Sequence, residues 1–255
     1  MAIKDKILFC KSKICVIIPT YNNVQTLSQV IDSVLKFISS VIVVNDGSTD
    51  ETLEILKRYQ EKIEIVTYEK NRGKGFAFRR GFDRAEQLGY THAITIDSDG
   101  QHYANDIPKF IKAATENPDA LIVGSRNLAQ DNMPSKNTFA NKFSNFWFTV
   151  QTAHRLTDTQ TGYRLYPLQK MKCLRPLTSR YEAELEILVR CAWRNIPIIS
   201  IPIQVFYAPE GKRITHFRPG IDFVRISLLN SVLTLLAFLY GYPSMGIKYL
   251  GMRKF

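Results

Sequence analysis

The sequence predicts an α/β fold, a mainly parallel sheet flanked by helices on both faces, followed by a C-terminal apolar helical segment. Three observations carry this expectation. Five short β-branched runs alternate with four stretches whose apolar residues recur at helical spacing. Alternation of this length implies right-handed βαβ units and a parallel sheet. From Ile226 to Ile247 no charged residue occurs, close to the ~20 residues that a bilayer-spanning helix needs.

The strand runs are Ile14-Cys-Val-Ile-Ile-Pro19, Val41-Ile-Val-Val44, Ile63-Glu-Ile-Val66, Ala93-Ile-Thr-Ile96 and Ala120-Leu-Ile-Val123. Helical patterns cover 26–37, 49–59, 76–88 and 107–117, and the stop signals Gly89 and Pro118 follow the last two. Ser48-Thr-Asp-Glu51 has the capping-box form, so the second helix is expected to begin there. After Gly124 the alternation stops. A polar stretch (125–138) leads to an aromatic-rich helix (139–152), a strand (161–166), a helix (182–194), a β-like run (196–206) and the apolar tail. Gly241, Pro243 and Gly246 interrupt that tail, which favours a membrane-embedded or interfacial helical hairpin over one straight span. The expected division is one α/β domain over 1–220 and a membrane-associating segment over 221–255.

The chain has 255 residues, 45% of them hydrophobic, enough for one large domain with a short appendage. Its formal charge of +11 suits a phosphate-rich substrate, nucleic acid or an anionic membrane surface. Cys10, Cys15, Cys173 and Cys191 show no C-x-x-C spacing and read as reduced thiols, and residues 1–13 lack the apolar core of a secretory signal. Together these place the protein on the cytoplasmic side of a membrane.

Asp97-Ser98-Asp99 directly follows the fourth strand, so both acids leave the sheet's carboxyl edge, where ligands of such sheets bind. Alternate residues of an extended segment project to one side, which lets both carboxylates address one cation. Hard oxygen ligands suit Mg²⁺ or Mn²⁺, ions that keep water and substrate phosphates as their other ligands. An isolated D-x-D is more often a surface turn; its position at a strand end favours the functional reading. Gly100-Gln101-His102 adds further ligand-capable groups.

Asp46-Gly47-Ser48 ends the second strand and places a carboxylate where it could accept a hydrogen bond from a nucleobase. Pro19-Thr20-Tyr21-Asn22-Asn23 ends the first, with Tyr21 able to pack on a flat base. Asn71-Arg72-Gly73-Lys74-Gly75 offers two cations near a glycine-permitted backbone, without the spacing of a Walker loop or a complete G-x-G-x-x-G.

These four segments, in this order, resemble the family 2 glycosyltransferases of GT-A (Rossmann-like) fold. Gly124-Ser-Arg126, Asp158-Thr-Gln-Thr-Gly-Tyr-Arg164 and Arg213-Ile-Thr-His-Phe-Arg218 look like the later segments of its dolichol-phosphate mannose synthase and polyprenyl-phosphate glycosyltransferase branch. The resemblance spans roughly residues 13 to 226. It implies that Asp97, Asp99 and Gln101 hold the metal and diphosphate, with Ser98 between them. Pro19, Thr20, Tyr21, Asn23, Asp46 and Gly47 would hold the nucleoside, and Arg72 and Lys74 a phosphate or the sugar. Arg126, Lys142, Arg213 and His216 would surround the donor and acceptor phosphates. Many relatives carry Glu at Asn23 and Asp at Asn45, so the donor, of GDP-mannose or UDP-glucose type, stays open.

The implied reaction is inverting transfer of a hexose from a nucleotide-sugar to a polyprenyl or dolichyl phosphate, which is already anionic and needs no strong base. A hydroxyl acceptor would need one. Glu182 or Glu184 could supply it, although acids in a first helical turn also simply favour the helix dipole. The basic run Lys212, Arg213, His216, Arg218 before the apolar tail fits anionic headgroups. A haloacid-dehalogenase-type phosphatase would share Asp97-Ser-Asp-Gly100, but its motif ends a first strand, and three strand runs precede it here. A nucleotide-sugar-binding module without turnover is the non-catalytic alternative. No nucleic-acid-binding signature is found, so nucleic acid is not an expected partner.

Overall fold

The computed structural model describes residues 13–126, 135–206 and 219–246. Seven strands form one sheet: β1 (Ile14–Thr20), β2 (Val41–Asn45), β3 (Glu64–Thr67), β4 (His92–Thr95), β5 (Leu121–Arg126), β6 (Arg164–Pro167) and β7 (Ile198–Ile203), in the order β3-β2-β1-β4-β6-β5-β7. All pairings are parallel except those of β6, which runs antiparallel to β4 and to β5. This is the predicted α/β class, with one inverted strand.

The alternation along β1 shows why the sheet is covered twice. Cys15 and Ile17 point into one core with Phe78, Phe82, Tyr166 and Leu188; Ile14, Val16 and Ile18 point into the other with Leu27, Val30, Ile31 and Phe110. Helices α1 (Leu27–Leu35), α2 (Thr52–Lys57) and α4 (Ile107–Glu116) serve the second core. Helices α3 (Lys74–Gln87), α5 (Ser135–Thr152), α6 (Glu182–Trp193) and α7 (Pro219–Leu236) serve the first. Phe82 meets Tyr166 of β6 at a centroid distance of 5.0 Å, an aromatic contact that seats α3 on the sheet.

Two expectations need correction. The capping box does not form: α2 starts at Thr52, whose amide donates to Asp50 Oδ1 at 3.0 Å. The Ser48 hydroxyl instead accepts the Asn22 amide at 2.9 Å, because Asn22 turns back with φ 45° and brings its N–H over the β2 exit. Nor does the apolar tail turn as a hairpin among the described residues. Gly220–Gly246 is one helical run with a π-helical turn at Ala237–Gly241. Gly241 is a contact rather than a break: a Cβ there would lie 2.4 Å from Trp193 Nε1.

This run packs on the domain along one side. Gln151 Nε2 donates to Asn230 Oδ1 (3.0 Å), Ser244 Oγ to the Trp193 carbonyl (2.9 Å), and Leu233 and Ala237 enter the core. Its other side shows Ile221, Phe223, Val224, Leu228, Leu235 and Leu239, each 58–69% exposed. Only 22% of its most apolar 18-residue window is buried.

Candidate active site

The carboxyl ends of β1, β2 and β4 meet where the chain order reverses on either side of β1, the position at which open α/β sheets bind ligands. Three side-chain clusters line this edge.

The first lies beyond β2. Asp46 Oδ1 accepts the Arg72 amide at 2.8 Å, and Oδ2 accepts the Gly73 amide at 2.7 Å and Asn71 Nδ2 at 3.0 Å. Burial raises its pKa above the ordinary carboxylate value, opposed by those amide bonds. Asp46 therefore staples the 71–73 loop to the sheet. Gly47 is obligatory there: its φ is +64°, and a Cβ would meet the Lys70 backbone at 2.4 Å. The loop delivers Lys74 into the first turn of α3. Arg72 itself is exposed, its guanidinium 4.9 Å over the Phe76 ring, and helps to line an open cleft of about 520 Å³ with Tyr68, Lys70 and Arg80.

The second cluster lies beyond β4. Lys74 Nζ is 2.7 Å from Asp97 Oδ1 and 3.0 Å from Glu184 Oε1. Burial opposes the ammonium, but the two carboxylates hold its pKa above the ordinary lysine value. For Asp97 burial is likewise outweighed, chiefly by Lys74, and its pKa is lowered. Asp99 is different: burial, and then the charge of Asp97, push it up to about 6, although its Oδ1 accepts the Gln101 amide at 2.9 Å. The peptide between the acids is clamped, because Asn23 Nδ2 and Thr26 Oγ1 both donate to the Ser98 carbonyl at 2.6 Å. Asn23 is thus buried and engaged with Ser98 instead of lining the edge. Pro19 and Thr20 are buried in the end of β1, and Tyr21 is half-buried at its exit. His102 is driven neutral, with a pKa near 4, by burial; its ring lies 5.2 Å from that of Tyr163 and its backbone bridges to Val205.

The third cluster joins β5 to the segment before β6. Arg126 Nε and Nη2 donate to Asp158 at 2.6 and 2.9 Å, and Asn141 Nδ2 adds a bond at 2.7 Å. Arg126 is thus committed to a fully buried acid. Lys142, next to Asn141 on α5, is exposed. Arg213 and His216 lie outside the described residues.

Gly162 carries a role that residue-type reasoning did not single out. A Cβ there would lie 2.6 Å from Asp97 Oδ2, 2.9 Å from Lys74 Nζ and 3.0 Å from Glu184 Oε1. The inverted strand β6 brings it there, and Arg164 holds the approach by donating to the Thr161, Thr159 and Glu184 carbonyls at 2.6–2.8 Å. A glycine inside Asp158–Arg164 is visible in the sequence; the cluster it touches is not.

Whether the second cluster suits a divalent cation can be judged from its charges. Asp97 and Glu184 share the Lys74 ammonium, and Asp99, raised first by burial and then by the charge of Asp97, adds a third carboxylate beside them. Among the described residues no three His, Cys, Asp or Glu side chains form a self-contained cage. The acids therefore fit an ion that takes its remaining ligands from phosphate oxygens and water.

Comparison with known proteins gives the family and the fold. An N-acetylglucosaminyltransferase of Methanococcus voltae, named for UDP-N-acetylglucosamine and dolichyl phosphate, is 30% identical over 224 residues, covering 80% of this chain and 87% of its own. A dolichyl-phosphate β-glucosyltransferase of Trichomonas vaginalis is 28% identical over 240 residues, covering 83% and 70%. Among solved structures, the glucosyl-3-phosphoglycerate synthase of Mycobacterium tuberculosis, in complex with Mn²⁺, UDP-glucose and phosphoglyceric acid, superposes with a TM-score of 0.67 at 16% identity, covering 93% of this chain and 83% of that one. Residues 15–172 match the model of glycosyl transferase family 2, and the chain, a glycosyltransferase of GT-A fold, belongs to that family.

Proposed function

We propose that this enzyme transfers a sugar from a UDP-sugar to a dolichyl or polyprenyl phosphate at a membrane surface, with inversion and with a divalent cation. The observation that carries the reading is the placement of Asp97 and Asp99 just beyond the carboxyl end of β4, with the Lys74 ammonium 2.7 Å from Asp97 and the peptide between the two acids clamped by Asn23 and Thr26. The name of the Methanococcus voltae relative, which carries UDP-N-acetylglucosamine, favours a UDP-linked donor over GDP-mannose.

In this reading Asp97, Asp99 and Gln101 hold Mg²⁺ or Mn²⁺ and the diphosphate. The ion, when bound, neutralises charge that develops on the leaving nucleoside diphosphate. Lys74 keeps Asp97 ionised and oriented, and its buried positive charge favours the same developing anion. Pro19, Thr20, Tyr21, Asp46 and Gly47 shape the nucleoside end. The Asp46 carboxylate and the Arg72 and Gly73 amides brace that end against the phosphate end. Arg126, Lys142, Arg213 and His216 serve the acceptor side.

Glu184 is already bound to Lys74, which disfavours it as a free general base. That supports an acceptor that is itself an anion, the lipid phosphate, over a hydroxyl. The exposed apolar side of Gly220–Gly246, with its inner side docked, fits a helix lying in the interface better than one crossing the bilayer. The segment 221–255 would then seat the 1–220 domain on the cytoplasmic leaflet.

The test is transfer from UDP-N-acetylglucosamine, UDP-glucose and GDP-mannose, with Mn²⁺ or EDTA, to a short polyprenyl phosphate in vesicles. A lipid-linked product that requires the ion and Asp99 is expected. Product formed only on a hydroxyl acceptor would overturn the lipid assignment.

A further inference from the structure

The apolar helix α7 and the acid–lysine–acid cluster are joined by an ion pair that neither the donor nor the acceptor would need to touch. Glu182 opens α6 and is 2% exposed. Its Oε1 accepts from Arg225 Nε of α7 at 3.0 Å and also from Arg225 Nη2. Its Oε2 is buried without a hydrogen-bond partner among the described residues. Residues two apart on a helix differ in direction by about 200°. Glu182 and Glu184 therefore leave the same first turn on opposite sides, one towards α7 and the other towards Lys74 and Asp97.

The Arg225 end is equally defined. Its side chain is 42% exposed, and Asp222, one turn earlier, is buried at 1%. The outward neighbours Ile221, Val224 and Leu228 are 60%, 65% and 65% exposed. The start of α7 is thus fixed inward through charge while it presents apolar side chains outward. A buried carboxylate whose one described cation comes from another helix ties the two helices firmly, because losing that cation leaves an uncompensated buried charge.

We propose that Arg225 is a positioning residue for glycosyl transfer: through Glu182 it sets the first turn of α6, and so the placement of Glu184, Lys74 and Asp97. The seating of α7 on its lipid surface is thereby coupled to the donor site. This rests on the reading of Asp97 and Asp99 as that site.

The experiment measures kcat and donor KM with a UDP-sugar, Mn²⁺ and polyprenyl phosphate in anionic vesicles, together with thermal midpoint and vesicle flotation. Arg225→Met is accompanied by Glu182→Gln, which cuts the ionic tie without leaving an unpaired buried charge. Both are expected to lower kcat by about tenfold or more, and Arg225→Lys to recover it to within about threefold. The Glu182→Gln midpoint should stay within about 4 °C of wild type, with flotation unchanged. A Glu182→Gln kcat within about twofold of wild type, while Asp99→Asn abolishes transfer, would overturn the coupling. So would an activity loss that merely follows the unfolded fraction. Transfer that survives Asp99→Asn would instead overturn the donor-site reading, and with it the route by which Arg225 acts.

Discussion

The ammonium of Lys74 stands 2.7 Å from Oδ1 of Asp97, so the acid just beyond β4 is neutralised by the residue that begins α3. Both side chains are mostly shielded, at 15% and 22% exposure. The same ammonium also serves Glu184.

Lys74→Met should therefore leave two shielded carboxylates facing each other. Loss of one partner from such a group costs about 3–5 kcal/mol when fully buried, and about 3 kcal/mol is expected here. Urea unfolding measures it; a loss below about 1 kcal/mol would show that the cluster is solvated after all.

Gly162→Ala should separate activity from stability. The added methyl must displace Asp97, Lys74 or Glu184, all within 3.0 Å of its position. Overpacking of this kind costs about 1–3 kcal/mol. Transfer should fall by about tenfold or more, because the displaced groups are the charged ones. An alanine variant with wild-type kcat would mean that the cluster shifts without consequence.

Asp158→Asn tests the third cluster through pH. Burial would raise the Asp158 pKa, but Arg126 outweighs it and the net shift is downward. A carboxyl depressed in the folded state contributes its full stabilisation above the unfolded value of about 3.9, and loses it as pH falls through the folded value. The asparagine variant should be less stable than wild type by about 3 kcal/mol at pH 7. That gap should shrink on acidification below about pH 4. Denaturant midpoints at several pH values decide it, and a gap independent of pH would exclude the ion pair as its source.

Leu228→Asp with Leu235→Asp should leave folding nearly untouched, because the two side chains are 65% and 62% exposed. Surface changes of this sort usually lie within about 0.5 kcal/mol. Flotation with anionic vesicles should fall by about tenfold or more, since burial of each leucine in lipid is worth about 2 kcal/mol. Unchanged flotation would overturn the proposal that α7 contacts a membrane.

The sheet was legible because its signal is local. Five β-branched runs and their helices predicted β1 to β5 and α1 to α4, and the Asp97–Asp99 position at a strand end followed from the same pattern. What stayed hidden depends on contacts between distant segments. Nothing near Ser48 shows that Asn22 will take its hydroxyl, so the capping box misled. The glycines of the tail looked like breaks, yet Gly241 makes room for Trp193, 48 positions earlier. Gly162 and Glu182 gain meaning only once β6 is inverted and α7 docks on α6. Asp46 was legible as a ligand-edge acid, but its commitment to two backbone amides was not.

That commitment bears on how donor preference could be altered. On the proposed reading, a carboxylate that closes a loop onto a neighbouring strand would make the base end and the phosphate end a single inherited part. Gly73 packs in turn on Ser179, where a Cβ would lie 2.6 Å from the carbonyl oxygen. Exchanging residues 71–75 alone with those of a relative would graft a loop without its anchors. A working chimaera must carry Asp46, Gly47 and the 178–183 segment along with it, so these stretches are expected to diversify together.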